Sequence, residues 1–355
     1  MATITPVILE NPAPIPVKTL PGSSSTSTTK IPELTGTQAA VYNSVFSGSA
    51  SLDKVTAAKP ASELTDVALP QGSEYLTDAD DNIIAVALDF SQQKPDASLF
   101  LNNDPTALDL TKLSTPTDDE TSVPVFIKNG FYGTVRGGNE DQQRDDVVFN
   151  LNNSDLAIRT AGGDDKVVDT GFGNTTVAGG FGNDTVVGGT GDNEVKGGDG
   201  NDSLAGGAGS DNLYGGSSTT VDPVTGKLVP QIDTLEGGEG SDNLWGGDGV
   251  QNPDGTYTGD GQQDVFLFKN ENNGSDVIQD FDERTDRLLI ADRNGDGEVK
   301  LNEDLTVEMV GKDMIVHLLD ENGEESARVR IKNVGEDAKL WKPIDDSQDG
   351  SFSVF

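Results

Sequence analysis

From Gly179 to Gly216 the chain reads GGFGNDTVVGGTGDNEVKGGDGNDSLAGGAGSDNLYGG. The underlying unit is G-G-x-G-x-D-x-U-x, with U a large aliphatic. Its acids are Asp165, Asp184, Asp202, Asp211, Asp233, Asp242 and Asp264, and Gly182, Gly200, Gly209 and Gly240 stand two residues ahead of four of them. Glycine weakens both helices and ordinary strands, so something other than backbone propensity must stabilise this segment. Regularly spaced carboxylates can hold a cation, and glycine lets backbone carbonyls approach it. The chain has no cysteine and a single histidine, His317. An all-oxygen ligand set of this kind selects calcium over zinc or copper.

The elements that must position these acids follow from the period. The U residues are Val167, Val177, Val186, Val195, Leu204, Leu213, Leu235, Leu244 and Phe266. Six residues that turn and three that form a short strand give one nonapeptide, and two nonapeptides give one coil with a turn on each edge. Stacked coils lie about 4.8 Å apart. At that spacing two aspartates repel by roughly 3.5 kcal/mol at an effective dielectric near 20, so the coil needs a cation between them. A Gly-rich linker would keep neither U nor the acid in register. Counting back by nine from Val167 gives Ile158 and Phe149, which starts the coils near Asp145.

Alternate turns fall on opposite edges. One edge carries Asp165, Asp184, Asp202, Asp233 and Asp264; the other carries Thr175, Asn193, Asp211 and Asp242. Thr175 and Asn193 lack a carboxylate, so that edge is expected to hold calcium more weakly at its N-terminal end. One extra residue near Asp169 reads as a bulge. Two insertions of thirteen residues each stretch the nine-residue spacing to twenty-two, between Leu213 and Leu235 and between Leu244 and Phe266. They contain VDPVTGKLV and VQNPDGTYTG, which read as hairpins on the first edge.

A second calcium motif follows the repeats. Residues 292–303, DRNGDGEVKLNE, fit an EF-hand loop. Asp292, Asn294 and Asp296 take its first, third and fifth positions, Glu298 offers a carbonyl and Glu303 is the bidentate acid. The preceding DRLLIA reads as strand, so the loop is EF-hand-like in a β context.

Composition narrows the function. There are 61 acids against 24 bases, a net charge of −37, which excludes nucleic acid as a partner, since that needs a basic surface. No apolar run reaches the ~20 residues of a membrane span. The zinc-protease, nucleophile-elbow and Walker signatures are absent. His317 sits in an alternating strand and reads as structural. Along the chain we expect a Pro/Ser/Thr-rich arm over 1–70 with one short helix near TGTQAAVYNSVFSG, and an irregular β region over 71–144. The calcium repeats occupy 145–266, a β cap with the EF-hand-like loop 267–340, and an acidic-to-apolar tail 341–355. DENGEE, 320–325, reads as a hairpin turn.

At these repeats the chain resembles the RTX (repeats-in-toxin, hemolysin-type) calcium-binding family. SDVIQDFDERTDRLLI is similar to the family's segment after the repeats. The resemblance implies an all-β fold, a right-handed parallel β-roll or β-helix solenoid that folds on extracellular calcium. It also implies export through type I secretion machinery by an uncleaved C-terminal signal. The start of the sequence, which does not read as a secretory signal peptide, and the ending DGSFSVF agree with that. The expected function is a secreted, calcium-folded, non-enzymatic component of a bacterial cell surface or matrix, self-associating or bound to surface polysaccharide. The alternatives are a secreted enzyme whose catalytic part lies in 1–144, and a calcium buffer or sensor.

Overall fold

In a computed structural model, the structure describes residues 59–60, 73–77, 83–88, 108–109, 124–127, 133–137, 145–269, 274–291, 299–300, 303–335, 340–341 and 351–354. The segment expected to form a short helix lies outside them. Among the described residues every regular element is a strand, and no helix is long and apolar enough to cross a membrane.

Two sheets, of thirteen and eleven strands, face each other, and the chain passes from one to the other at almost every turn. Within each sheet most strands pair in parallel. The first sheet stacks Val86, Val125, Val148, Val167, Val186, Leu204, Leu235, Phe266 and Leu288 in one register column. The second stacks Val135, Ile158, Val177, Val195, Leu213, Leu244, Ile278 and Ile331. All of these side chains are buried and form one continuous core. This is the parallel β-roll the period implies. Each strand from Lys166–Asp169 to Asn243–Trp245 gives the core one large aliphatic, worth roughly 1.5–3 kcal/mol, so the core there is thin and the edges must contribute.

Strands Ile83–Leu88, Val125–Ile127 and Gly133–Arg136, in the region read as irregular β, belong to the same two sheets and the same registers. Beyond the repeats, Val265–Phe268 pairs in parallel with Arg287–Ile290, and Ser275–Ile278 with Glu325–Ile331. The ends are closed by antiparallel pairing: Glu74–Thr77 on Ile83–Leu88 at one end, Ser351–Val354 on Arg287–Ile290 at the other. In the second sheet Leu305–Val310, Asp313–Leu319 and Glu325–Ile331 form an antiparallel cap. The turn inside it lies where DENGEE places it: Asp320 Oδ1 accepts from the N–H groups of Asn322 and Glu324. His317 pairs with Glu325 at 2.8 Å on the cap surface.

One register expectation needs correcting. Val148, not Phe149, occupies the core column, and Phe149 stacks on Phe126 at 4.6 Å instead. The cause is a second extra residue. Asn150 and Asp169 are register partners, and each accepts an N–H two residues on, from Asn152 and Gly171 respectively. The bulge near Asp169 is therefore one of two stacked Asx turns, and these stretch their coils to nineteen residues, as the Val148–Val167 and Val167–Val186 partners show.

Candidate metal centre

The glycine pairs come first, because they decide whether a carboxylate fits. A Cβ on Gly197 would lie 2.1 Å from Asp202 Oδ2 and 2.6 Å from the Gly215 carbonyl oxygen. On Gly179 it would lie 2.0 Å from Asp184 Oδ2 and 2.9 Å from Gly197 O, and on Gly206 2.4 Å from Asp211 Oδ2 and 2.6 Å from Gly237 O. The missing side chain thus leaves a cradle in which a carboxylate oxygen and a carbonyl oxygen of the next coil converge. The third glycine does a different job. Gly182, Gly200, Gly209 and Gly240 have φ between 119° and 139° and stack on the preceding coil. A Cβ on Gly200 would come within 1.9 Å of Gly182 O.

Each acid of the motif reaches back one coil. The N–H of Asp165 donates to Asp184 Oδ1 (2.8 Å), Asp184 to Asp202 (2.7 Å), Asp202 to Asp233 (2.8 Å) and Asp233 to Asp264 (3.2 Å). On the opposite edge Thr175 donates to Asn193 (2.8 Å), Asn193 to Asp211 (2.7 Å) and Asp211 to Asp242 (2.8 Å). The structure therefore brings the sequence-named aspartates together in the two ladders expected. It also lengthens them: Asp146 precedes Asp165 and Asp286 follows Asp264 on the first edge, and Asp276 follows Asp242 on the second.

The other oxygen of these acids is the informative one. Oδ2 of Asp165, Asp184, Asp202, Asp211, Asp242 and Asp276 is buried and receives no hydrogen bond. An unpaired buried carboxylate oxygen is costly, so such atoms call for a partner. Burial pushes the acids upward from the usual 3.8, to about 7 for Asp165, Asp202 and Asp211. Asp184 reaches about 9, with Asp202 and Asp165 adding repulsion, and Asp233 also about 9, with Asp202 adding. Asp264, pushed up by burial and by Asp260, reaches about 8. Among the described residues no three acidic or histidine side chains converge on one point. The available donor set is thus paired carboxylates with backbone carbonyls, all hard oxygens of the kind calcium takes, and a dication there would replace the repulsion by attraction.

Two positions are satisfied without an ion, and at a third a side-chain amide shares the carboxylate oxygen. Asn193 turns its amide nitrogen to Gly206 O (3.3 Å). Thr175 donates its hydroxyl to Asp169 Oδ2. Gln231, standing where the repeat has its third glycine, donates to Asp233 Oδ2 at 3.3 Å and accepts from the Gly200 N–H.

A second ladder, unforeseen from the motif, runs outside the first in the reverse direction. Asp164 N–H donates to Asp145 Oδ1, Asn183 to Asp164, Asn201 to Asn183 and Ile232 to Asn201, at 2.7–2.9 Å. Asp155, Asn174 and Asp192 accept in the same way on the other edge. Its signal is legible in the N-D, D-D and D-N pairs of the repeats.

Both insertions leave from the first edge and form hairpins, closed by Val221–Leu228 and Gln251–Tyr257 bridges. Of the EF-hand-like loop, Asp292, Asn294, Asp296 and Glu298 lie outside the described residues. Glu303 is exposed and lies 3.6 Å from Lys300.

A parallel β-roll with carboxylate ladders on both edges defines a calcium-binding solenoid. The family model for the RTX calcium-binding nonapeptide repeat matches in four copies over residues 169–204, 187–219 and 231–250. This part of the chain consists of RTX repeats, and such repeats bind calcium ions. No curated protein and no solved structure matches the chain.

Proposed function

We propose that this chain is a secreted structural protein of a bacterial cell surface or extracellular matrix whose roll folds on calcium. The observation that carries the reading is the row of buried, unpartnered Oδ2 atoms on both edges. Asp165, Asp184, Asp202, Asp211, Asp233, Asp242 and Asp264 are the proposed carboxylate ligands. Gly182, Gly200, Gly209 and Gly240, two residues ahead of their acids, are proposed as backbone ligands, and the first-glycine carbonyls, Gly197, Gly215 and Gly237 among them, add oxygens beside these carboxylates. Asp292, Asn294, Asp296, Glu298 and Glu303 are proposed as a further calcium loop in the cap.

Export fits the repeats, which occur typically in secreted proteins, through type I secretion machinery. Folding on calcium outside the cell couples binding to structure, because the site does not exist in the unfolded chain. A many-rung solenoid with acidic faces suits a load-bearing role, in self-association or on surface polysaccharide. The experiment is circular dichroism of the full chain in chelator and in calcium, followed by electron microscopy of both samples. Calcium-induced β-signal with ordered assemblies is the expected result. A β-signal and melting temperature unchanged by calcium would refute calcium-driven folding, and calcium-induced folding without any assembly would refute the structural role.

A further inference from the structure

We propose that the cation ladder runs one rung past the recognisable repeats, with Asp242 and Asp276 as the paired carboxylates of a calcium site that joins the roll to its cap. The proposal rests on the calcium reading of the repeats and extends it to a residue outside the matched segment, which ends at 250. Asp276 has no glycine pair before it, so only the short GSDVI of 274–278 marks it in the sequence.

Two independent features place it. The first is the carboxylate pair. The Asp242 N–H donates to Asp276 Oδ1 at 3.0 Å, as in every rung of the repeats. Oδ2 of both residues is buried without a partner, and the residues are only 1% and 2% exposed. The second is the stacking column of the third glycine, which holds each rung against the one before it. Gly274 stands two residues before Asp276, and a Cβ there would lie 1.3 Å from Gly240 O. Gly240 stacks on Gly209 in the same way (1.6 Å) and Gly209 on Gly191 (2.3 Å). The glycine column therefore continues into GSDVI, 274–278, which repeats the GSDNL of 209–213 and 240–244.

The first edge ends differently. Its last acid, Asp286, accepts the Asp264 N–H on Oδ1 and the Asp282 N–H on Oδ2, so both oxygens are used. The second edge ends on a bare carboxylate. Beyond it the next strand offers Val329 opposite Asp276, and Arg328, opposite Ser275, is engaged by Glu325 at 2.8 Å. Among the described residues no lysine, arginine or histidine forms an ion pair with Asp276.

The position gives the ion a task. Ser275–Ile278 pairs with Asn243–Trp245 on one side and with cap strand Glu325–Ile331 on the other. A calcium ion shared by Asp242 and Asp276 ties the last repeat to the strand that carries the cap.

The test uses the full chain. Bound calcium is counted by equilibrium dialysis, and hydrogen exchange is followed with and without calcium, for wild type, Asp276→Asn and, as a repeat control, Asp184→Asn. Asparagine keeps the Oδ1 acceptor, so the fold is retained. The expected result is one ion fewer in Asp276→Asn, with calcium protection lost at 275–278 and 325–331 and kept at 184–204. An unchanged count with unchanged protection overturns the proposal and leaves the two carboxyls sharing a proton. If wild type binds no calcium and Asp184→Asn changes nothing, the calcium reading itself has failed, and this rung with it. Should Asp276→Asn not fold, Asp276→Glu replaces it: the same count at high calcium with weakened protection at 275–278 supports the site, and wild-type behaviour overturns it.

Discussion

The two edges of the roll meet the same need in different ways. On the first, Asp165, Asp184 and Asp202 each leave a buried oxygen bare. On the N-terminal part of the second, the equivalent places are filled from within: Thr175 closes on Asp169, and Asn193 on Gly206 O. A carboxylate makes a rung that needs a cation, while an amide or a hydroxyl makes a rung that is complete in its absence. The price is conditional stability. One edge is strong only in calcium, and part of the other is held at all times. The teaching is that one position of a nine-residue unit decides whether a turn is a switch or a staple.

The largest effect that can break this comparison is removal of calcium. In chelator the first-edge amides of Asp165, Asp184 and Asp202 should lose hydrogen-exchange protection, while those of Gly171 and Thr175 keep more of theirs. Equal loss on both edges would erase the distinction. Next in size is Asp184→Ala, which removes one bare oxygen and also the acceptor of the Asp165 N–H. Leaving that buried donor unpaired costs about 1–3 kcal/mol before any ion is counted. Thermal denaturation in calcium should show a larger drop than in chelator; equal drops would mean that the ion is not held there.

Acidity sharpens the same contrast. Burial raises these carboxyls, to about 7 for Asp165 and Asp202 and about 9 for Asp184 and Asp233, while the unfolded chain releases the protons near 3.8. In chelator the folded roll is therefore most favoured in acid. It loses stability as pH rises from about 4 towards 7–9, and levels off above that. Calcium replaces the protons, so its affinity should fall as pH is lowered through the same range. A denaturation series in chelator from pH 5 to 9 that shows rising stability would contradict the buried-acid ladder.

Much of this is legible in the sequence. The nine-residue period fixes which side of the coil a residue faces, and so Val177 to Leu213 fell in the core and the aspartates sorted onto their edges. The period fails where an Asx turn inserts a residue. Asn150 has no glycine beside it to announce the turn, and the count slipped from Val148 to Phe149. Asp146, Asp276 and Asp286 escaped because the glycine pairs that mark the motif are missing ahead of them or too distant from them. The strands of 83–136 are expected as β, but connections of uneven length hide their place in the roll, so their common register is visible only in the pairing of Val86 with Val125 and of Val125 with Val148. Gln231 was also hidden, since an amide standing in for a turn glycine declares its role only through the Asp233 carboxylate it reaches.

The smallest effect is the most pointed, because it changes a staple into a switch. Asn193→Asp substitutes one atom. It removes the amide nitrogen that donates to Gly206 O, and puts a second carboxylate oxygen beside the Asp211 rung. In chelator the variant loses a net hydrogen bond, about 0.5–1.5 kcal/mol, and gains repulsion from Asp211. In calcium the new oxygen becomes a ligand. The sign of the stability change should therefore reverse between the two conditions: less stable than wild type in chelator, as stable or more so in saturating calcium, with at least one more ion bound. Paired melting curves and a calcium titration measure both. A loss of the same size in both conditions would show that Asn193 holds the turn by shape alone, and that the division between ion-held and self-held rungs does not lie in this side chain.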